Sequence, residues 1–345
     1  MHSPPGALPL ARSSPSPRAR LRAEVVSQLP VWFFCVYGVL LLNTALTNFS
    51  PPRPDLAWTA AFPLGVFALF YAARARFAAG LEGRLSLALS ALGLVVLAPL
   101  VILAVHRPSP LTGQGLLWAY EVSNFLWAGL MIWHAWRVRP SHAGLFFGAG
   151  LLYGALLENG GILLGFFHEA NLTLTLIPPL LAPAATMLGW CVVLYMGTFP
   201  VWELRRWFPA LRRSAPLSAL LVALCATALD LQIDPMATAA GAWVWHQSLP
   251  GWFHGVPRVN YLAWMCAIFP FAWAIFRHQD QAGLEDSDAW TGSDVVAMVR
   301  AVPATLLVAA LCFLSSTGLL EGPDGPSWTL LKGFAVKALQ QIPAG

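Results

Sequence analysis

Long apolar stretches separated by short polar segments dominate the chain. Each stretch is close to the roughly 20 residues that an α-helix needs to cross the hydrocarbon core of a bilayer. The stretches cover residues 30–49, 56–73, 85–105, 115–136, 143–167, 181–202, 215–231, 258–276 and 301–320. The pattern predicts an all-α fold, a polytopic bundle of transmembrane helices with about eight or nine spans.

The two ends of the chain differ from this pattern. Residues 1–28 are rich in Pro, Ser and Arg and lack the apolar core of a signal peptide, so we predict a disordered cytoplasmic arm there. Residues 29–322 are predicted to form a single transmembrane helical domain. Residues 323–345, which include a mildly amphipathic stretch, are predicted to be an interfacial or flexible tail.

Composition and charge agree with a membrane protein. Hydrophobic residues make up 57% of the chain and charged residues only 10%, against roughly a quarter in soluble domains. The net charge of +4 does not indicate a nucleic-acid partner, because the arginines lie in short clusters between the apolar stretches. These clusters fall on alternate loops, so the positive-inside rule predicts a multi-pass protein of the cell membrane, the inner membrane of a bacterium, with a cytoplasmic N-terminus.

Two carboxyl groups follow the apolar stretch that begins at residue 215. Asp230 and Asp234 are four residues apart, which on a helix places their side chains about 6 Å from each other on one face. Two acids at that distance in an apolar setting do not both ionise readily, so one can keep its proton and act as a general acid. Asp234 also has a purely structural interpretation, since Asp before Pro235 fits a helix N-cap with proline at the first helical position.

Further acids lie within earlier stretches. Glu158, in the sequence LLYGALLENGGILLGFF, has small residues around it that let another helix approach closely. It is a candidate second acid, a base that holds a water molecule, or a hydrogen-bonding group between helices. Glu121 and Asn124 lie nearer to the end of their stretch, and for them we favour a structural hydrogen bond.

Aromatic side chains are concentrated just after the two aspartates. A tryptophan-rich band near a membrane surface is often only an interfacial belt. Aromatic faces also stabilise cations, and several rings beside a pair of acids would suit a short-lived carbocation, with a nearby amide holding water. The residues concerned are Trp243, Trp245, Trp252, Phe253, His254, Asn260 and Trp264.

Missing motifs narrow the chemistry. The predicted spans contain no lysine for a retinal Schiff base, and the eight histidines contain no HxxHH cluster of a membrane di-iron oxygenase. The sequence also lacks a phosphate-binding loop, a dinucleotide-binding turn and a nucleophile elbow. These absences argue against retinal, di-iron, nucleotide and serine-hydrolase chemistry. We predict no metal site, and expect any hydroxyl oxygen introduced by this protein to come from water.

The order of these residues resembles that in the membrane carotenoid hydratases, including the CruF-type carotenoid 1,2-hydratases and the bisanhydrobacterioruberin hydratases. The resemblance covers roughly residues 150–276. It is carried by Glu158, Gly161, Gly165, Pro178, Trp190, Asp230, Asp234, Pro235, Trp243, Trp245, Gly255, Val256, Pro257, Asn260 and Trp264.

The resemblance implies cofactor-free hydration of the terminal C1,C2 double bond of an acyclic carotenoid end, in a lycopene-like or gamma-carotene-like substrate. Under this hypothesis Asp230 or Asp234 supplies the proton, and Glu158 and Asn260 place the water. The side chains expected to bind the substrate or stabilise the cation are Trp243, Trp245, Trp264 and His254. Other expected partners are membrane lipid and further enzymes that act on carotenoids, and no nucleic acid.

Two alternatives remain at the level of sequence. The DxxxD spacing of Asp230 and Asp234 fits one of the two acidic motifs of a UbiA-like membrane prenyltransferase, although the second motif is absent. The same acids also fit a proton relay in a non-enzymatic transporter or a carotenoid-binding membrane protein.

Overall fold

The computed structural model describes residues 17–48, 58–59, 61–77, 80–106, 113–169, 181–284 and 289–340. Nearly all of these residues are helical. The helices are α1 (Pro17–Ser27), α2 (Leu29–Asn48), α3 (Ala61–Phe77), α4 (Gly80–His106), α5 (Gly113–Val138), α6 (Pro140–Gly144), α7 (Gly150–Leu163), α8 (Ala184–Arg205), α9 (Pro209–Arg212), α10 (Ala215–Ala240), α11 (Arg258–Gln281), α12 (Gly292–Glu321) and α13 (Pro326–Gln340). A π-helical turn, Leu145–Ala149, joins α6 to α7.

Short strands form two antiparallel ribbons. Strand β1 (Phe167–Glu169) pairs with β2 (Trp243–Trp245), and β3 (Gly251–Phe253) pairs with β4 (Val256–Pro257). The first ribbon ties the segment after α7 to the segment after α10, although the two are far apart in sequence. It therefore fixes the relative position of two parts of the chain that carry acids and tryptophans.

The predicted all-α polytopic bundle is confirmed. Each of the nine predicted spans falls on a helix, with α6, the π-turn and α7 forming one of them. Among the described residues, six segments are long and apolar enough to cross a membrane: Gly83–Leu103, Pro140–Leu163, Ala184–Arg205, Ala215–Ala240, Arg258–Gln281 and Gly292–Glu321. The other three predicted spans, on α2, α3 and α5, are helical but do not meet this criterion. Helix α3 has only 17 residues, and α5 contains Glu121, Asn124 and His134.

Part of the N-terminal segment that we predicted to be disordered is helix α1, Pro17–Ser27. Residues 1–16 lie outside the described residues. Helix α1 is held to the bundle by polar contacts, because the imidazole Nε2 of His134 lies 2.8 Å from the carbonyl oxygen of Val26 and Arg74 forms a salt bridge with Glu24. At the other end, residues 326–340 of the predicted tail form α13.

Helix α10 runs through Asp234 and Pro235 without a break. It begins at the N-cap Ser214, whose hydroxyl oxygen accepts a hydrogen bond from the Leu217 backbone N–H, and ends at Gly241, which has a φ of 71°. The interpretation of Asp234 as an N-cap is therefore wrong. Proline removes one backbone donor from the helix interior, which buried membrane helices tolerate when neighbouring groups compensate. Asp234 is left in the middle of a helix with its side chain turned to neighbouring helices.

Helix α8 occupies the centre of the bundle, and most of its residues are buried. It contacts α5, α7 and α10, while α10 packs along α11 and α12 covers α11. The approach of α7 to α8 requires Gly154, because a Cβ atom there would lie 2.5 Å from the Cβ of Trp190. This close approach sets Trp190 beside Glu158, one helical turn beyond Gly154.

Candidate active site

A cavity of about 520 Å³ lies between α5, α7, α8, α10, α11 and α12. Its volume is within the range of about 300–1,000 Å³ that is usual for small-molecule pockets. Most of its wall is apolar or aromatic, and a few polar side chains converge on one part of it. The polar lining consists of Asn124, Glu158, Thr186, Asp234 and Asn260, and the indole and phenol rings in the lining belong to Tyr37, Tyr120, Trp190, Trp243, Trp245 and Trp264.

The two aspartates of α10 and Asn260 of α11 form one buried cluster. The side-chain amide of Asn260 donates to Oδ2 of Asp230 at 2.9 Å and also to Oδ2 of Asp234. The two carboxyl groups are also close enough to interact directly with each other. Asp234 lines the cavity, whereas Asp230 is fully buried behind it and does not. The cluster thus presents one carboxyl group to a ligand and supports it with the second.

Glu158 forms the polar part of the wall from the α7 side. Its Oε2 accepts a hydrogen bond of 2.7 Å from the indole N–H of Trp190. Trp190 in turn stacks on Trp264 of α11, with ring centroids 4.8 Å apart and an interplanar angle of 24°. The stacked rings run from Glu158 on one side of the cavity to the helix that carries Asn260 on the other.

Glu169 is a fourth carboxyl group at this site, and the sequence analysis missed it. It lies on β1 directly opposite Trp243 of β2, and its Oε2 accepts a hydrogen bond of 3.0 Å from the hydroxyl of Thr186. Its carboxyl group is also close enough to that of Glu158 for the two to interact directly. Burial, followed by the charge of Glu158, raises the pKa of Glu169 to about 10. The sequence offered one signal for Glu169: it is an acid at the end of the apolar stretch that contains Glu158.

The tryptophans of β2 differ in their surroundings. Trp243 is buried, lines the cavity and packs edge-on against Tyr120, with ring centroids 6.1 Å apart. Its indole N–H has no hydrogen-bond partner among the described residues. Trp245 also lines the cavity, and its N–H donates to the hydroxyl of Thr238 at 3.0 Å. The cavity therefore has two indole faces in its wall and one buried donor that a ligand or water can use.

His254 and Asn124, which the sequence analysis also singled out, lie in different places relative to the cavity wall. His254 lies in the turn between β3 and β4 with a φ of 49°, and it is not part of the cavity wall. Asn124, for which we favoured a structural hydrogen bond, lines the cavity. Glu121 is buried nearby without lining it. The structure thus brings together Glu158, Asp230, Asp234, Trp243, Trp245, Asn260 and Trp264, and leaves His254 outside.

The carboxyl groups at the cavity come as two pairs, Asp230 with Asp234 and Glu158 with Glu169. Over the part of the chain that the structure describes, no group of three or more His, Cys, Asp or Glu side chains is arranged to hold a metal ion. The absence of a metal site remains a prediction.

The fold and the cavity define a class: a helical membrane protein whose largely apolar site carries paired carboxyl groups and tryptophan faces. A family model described as carotenoid biosynthesis protein matches residues 119–319, more than half of the chain, and the chain belongs to that family. A role in carotenoid biosynthesis follows from this membership. The matched region runs from α5 to α12 and includes both carboxyl pairs. No curated protein and no solved structure matches the chain.

Proposed function

We propose that this protein is a cofactor-independent hydratase that adds water across the terminal C1,C2 double bond of an acyclic carotenoid end. The observation that carries the proposal is the buried Asp230–Asp234–Asn260 cluster, which turns one carboxyl group towards a cavity walled by tryptophans. Buried, paired carboxyl groups are a recurring means of keeping an acid protonated at neutral pH.

Asp234 is the proton donor in this scheme. It lines the cavity, whereas Asp230 lies behind it, so only Asp234 can reach a bound alkene. Transfer of its proton to C2 breaks the π bond, leaves a tertiary cation at C1 and turns Asp234 into a carboxylate. The amide N–H of Asn260 and a protonated Asp230 stabilise that carboxylate through hydrogen bonds.

The aromatic wall stabilises the cation. Trp243 and Trp245 come from β2, and the stacked pair of Trp190 and Trp264 lies on the neighbouring helices. A cation near an indole face is stabilised by roughly 0.5–2 kcal/mol, with the larger values in sites from which water is excluded.

Glu158 and Glu169 place the water and take its proton. The Glu158 carboxyl is oriented by the Trp190 N–H, and the unpaired N–H of Trp243 is a donor on the same side of the site. Attack of the water oxygen on C1 forms the C–O bond, and the proton released goes to the glutamate pair. Proton exchange then restores the proton on Asp234 and completes the cycle. The net reaction converts an alkene and one water molecule into a tertiary alcohol. Asn260, which the sequence suggested as a water ligand, instead bridges the aspartates.

The remaining parts of the hypothesis concern the substrate and its surroundings. The substrate is an acyclic, lycopene-like or gamma-carotene-like carotenoid, dissolved in the cell membrane, and no cofactor takes part. We also propose that the chain is multi-pass with a cytoplasmic N-terminus. The support for this orientation is the alternation of arginine-rich loops along the sequence.

The test is pigment analysis in lycopene-producing cells grown in oxygen-18 water. The wild-type protein is expected to yield a pigment that has gained one labelled water, and an Asp230→Asn/Asp234→Asn double variant is expected to yield none. An Asp324→Asn variant is the matched control, since the Asp324 side chain is 96% exposed and does not line the cavity. Unchanged pigment with the wild-type protein would overturn the proposal in favour of a binding protein, and the gain of a five-carbon unit would favour a prenyltransferase.

A further inference from the structure

Among the residues that the structure describes, the wall of the cavity is incomplete between α7 and α12. Leu156 on α7 lines the cavity and yet keeps 47% of its surface exposed. Ala310 on α12 also lines the cavity and is exposed, whereas its neighbour Ala309 is buried. Residues that face both the cavity and the outside mark an opening between the two helices.

This opening is closed at both ends, so it is a slot and not a general separation of the helices. At one end the rings of Phe166 and Phe313 meet edge-on, with centroids 5.7 Å apart. At the other end α12 packs on the π-turn and on α6, where a Cβ atom added to Gly144 would lie 3.1 Å from Cγ1 of Val295. The slot therefore occupies the middle part of α7 and α12.

The slot faces the apolar phase. Both flanking helices belong to segments that are long and apolar enough to cross a membrane, Pro140–Leu163 and Gly292–Glu321. The outward side chains around it, Leu152 and Leu163 on α7 and Leu307 and Leu311 on α12, are 42% to 61% exposed. A molecule dissolved in lipid can reach the slot without passing through water.

We propose that this slot is the lateral entrance through which a linear carotenoid inserts one end from the membrane, and that Gly160 and Ala310 set its width. The inference rests on the proposed function, which it extends by defining the substrate as a molecule with a thin, unbranched apolar end. The remainder of the polyene chain stays in the slot and in the surrounding lipid. This accounts for a cavity that is sized for a small molecule in a family that acts on carotenoids.

Gly160 is suited to this purpose because it lines the cavity and has space around it. A Cβ atom added there meets nothing within 4 Å. The first carbon of a larger side chain at this position therefore enters free space and does not clash with the helix packing. Replacing a helical glycine also removes backbone freedom from the unfolded chain, so such a variant is expected to fold at least as well as the wild type.

The experiment uses purified full-length protein mixed with phospholipid vesicles that contain lycopene. Ala310→Phe and Gly160→Phe narrow the slot, and Leu311→Phe and Leu152→Phe are matched controls that place the same ring on the lipid-facing side of the same helices. Two quantities are measured: the lycopene retained by the reisolated protein and the rate of hydrated product. We expect both to fall about tenfold or more in the slot variants and to stay within about twofold in the controls.

The two readouts keep the entrance and the reaction separate. If the slot variants behave like their controls in both measurements, the proposed entrance is wrong, whether or not the protein hydrates lycopene. If the wild type retains lycopene but yields no hydrated product, the hydratase proposal fails, and loss of retention in the slot variants still supports the entrance. A wild type that neither retains nor converts lycopene overturns both proposals.

Discussion

The two aspartates of α10 should respond differently to the same substitution. Asp234→Asn removes the only carboxyl group of the pair that lines the cavity, and Asp230→Asn removes its support while leaving the donor in place. General acid catalysis typically contributes a factor of about 10² to 10⁴ to the rate, or roughly 3–5 kcal/mol of barrier. We therefore expect Asp234→Asn to lower kcat by about that factor.

The effect of Asp230→Asn is smaller because it acts through a hydrogen bond. An amide at position 230 can still bond with both Asp234 and Asn260, so the change alters how readily Asp234 gives up its proton without removing the donor. A hydrogen bond to a charged group contributes roughly 1.5–3 kcal/mol, of which the amide retains a part, and we expect a loss of about tenfold.

The assay is the rate of conversion of lycopene by purified protein in vesicles, with product separated by chromatography. Both substitutions keep the shape of the side chain, so the midpoint of thermal unfolding in detergent should change little for either variant. The reasoning is refuted if Asp230→Asn loses as much activity as Asp234→Asn, or more, while both variants remain folded. That result would place the donor at Asp230 and require the cavity to extend behind Asp234.

Three further predictions concern the surrounding groups. Trp190→Phe keeps a ring next to Trp264 but loses the donor to Glu158, so kcat should fall about tenfold while lycopene retention is unchanged. Glu169 has a pKa raised to about 10 in the folded chain against about 4.3 when unfolded, so stability should fall as pH rises between these values, by at most about 1.4 kcal/mol per pH unit. Unfolding midpoints measured from pH 5 to 9 should thus decline less steeply in Glu169→Gln, and equal slopes would contradict the assignment. Glu203→Gln removes the carboxylate that pairs with the buried Arg74 and Arg139, and denaturation should show a loss of about 3–5 kcal/mol.

The helices were largely predictable because hydropathy and length are local properties. All nine predicted spans fall on helices, and the i to i+4 spacing placed Asp230 and Asp234 on one face of α10. The sequence was misleading at Asp234–Pro235, where a capping pattern lies inside a continuous helix. Local capping preferences are worth about 1 kcal/mol, which the packing of α10 against α11 readily outweighs.

Other parts of the site depend on contacts between distant segments. Glu169 is held beside the cavity through the pairing of β1 with β2, more than seventy residues further along the chain. Asn260 bridges the two carboxyl groups because α11 packs along α10. His254 lies close to Asn260 in sequence, yet its turn carries it away from the wall.

The amino-acid sequence by itself determined that this protein is an apolar helical bundle with an acidic, aromatic segment at the end of one helix. These features could be read directly because periodicity and composition are properties of short stretches of the chain. The tertiary structure alone decided that Asn260 bridges the two aspartates, that one aspartate faces the cavity while the other supports it, and that, among the described residues, the wall opens between α7 and α12. These features depend on how close particular helices come, which small residues such as Gly154 permit and which no local pattern specifies.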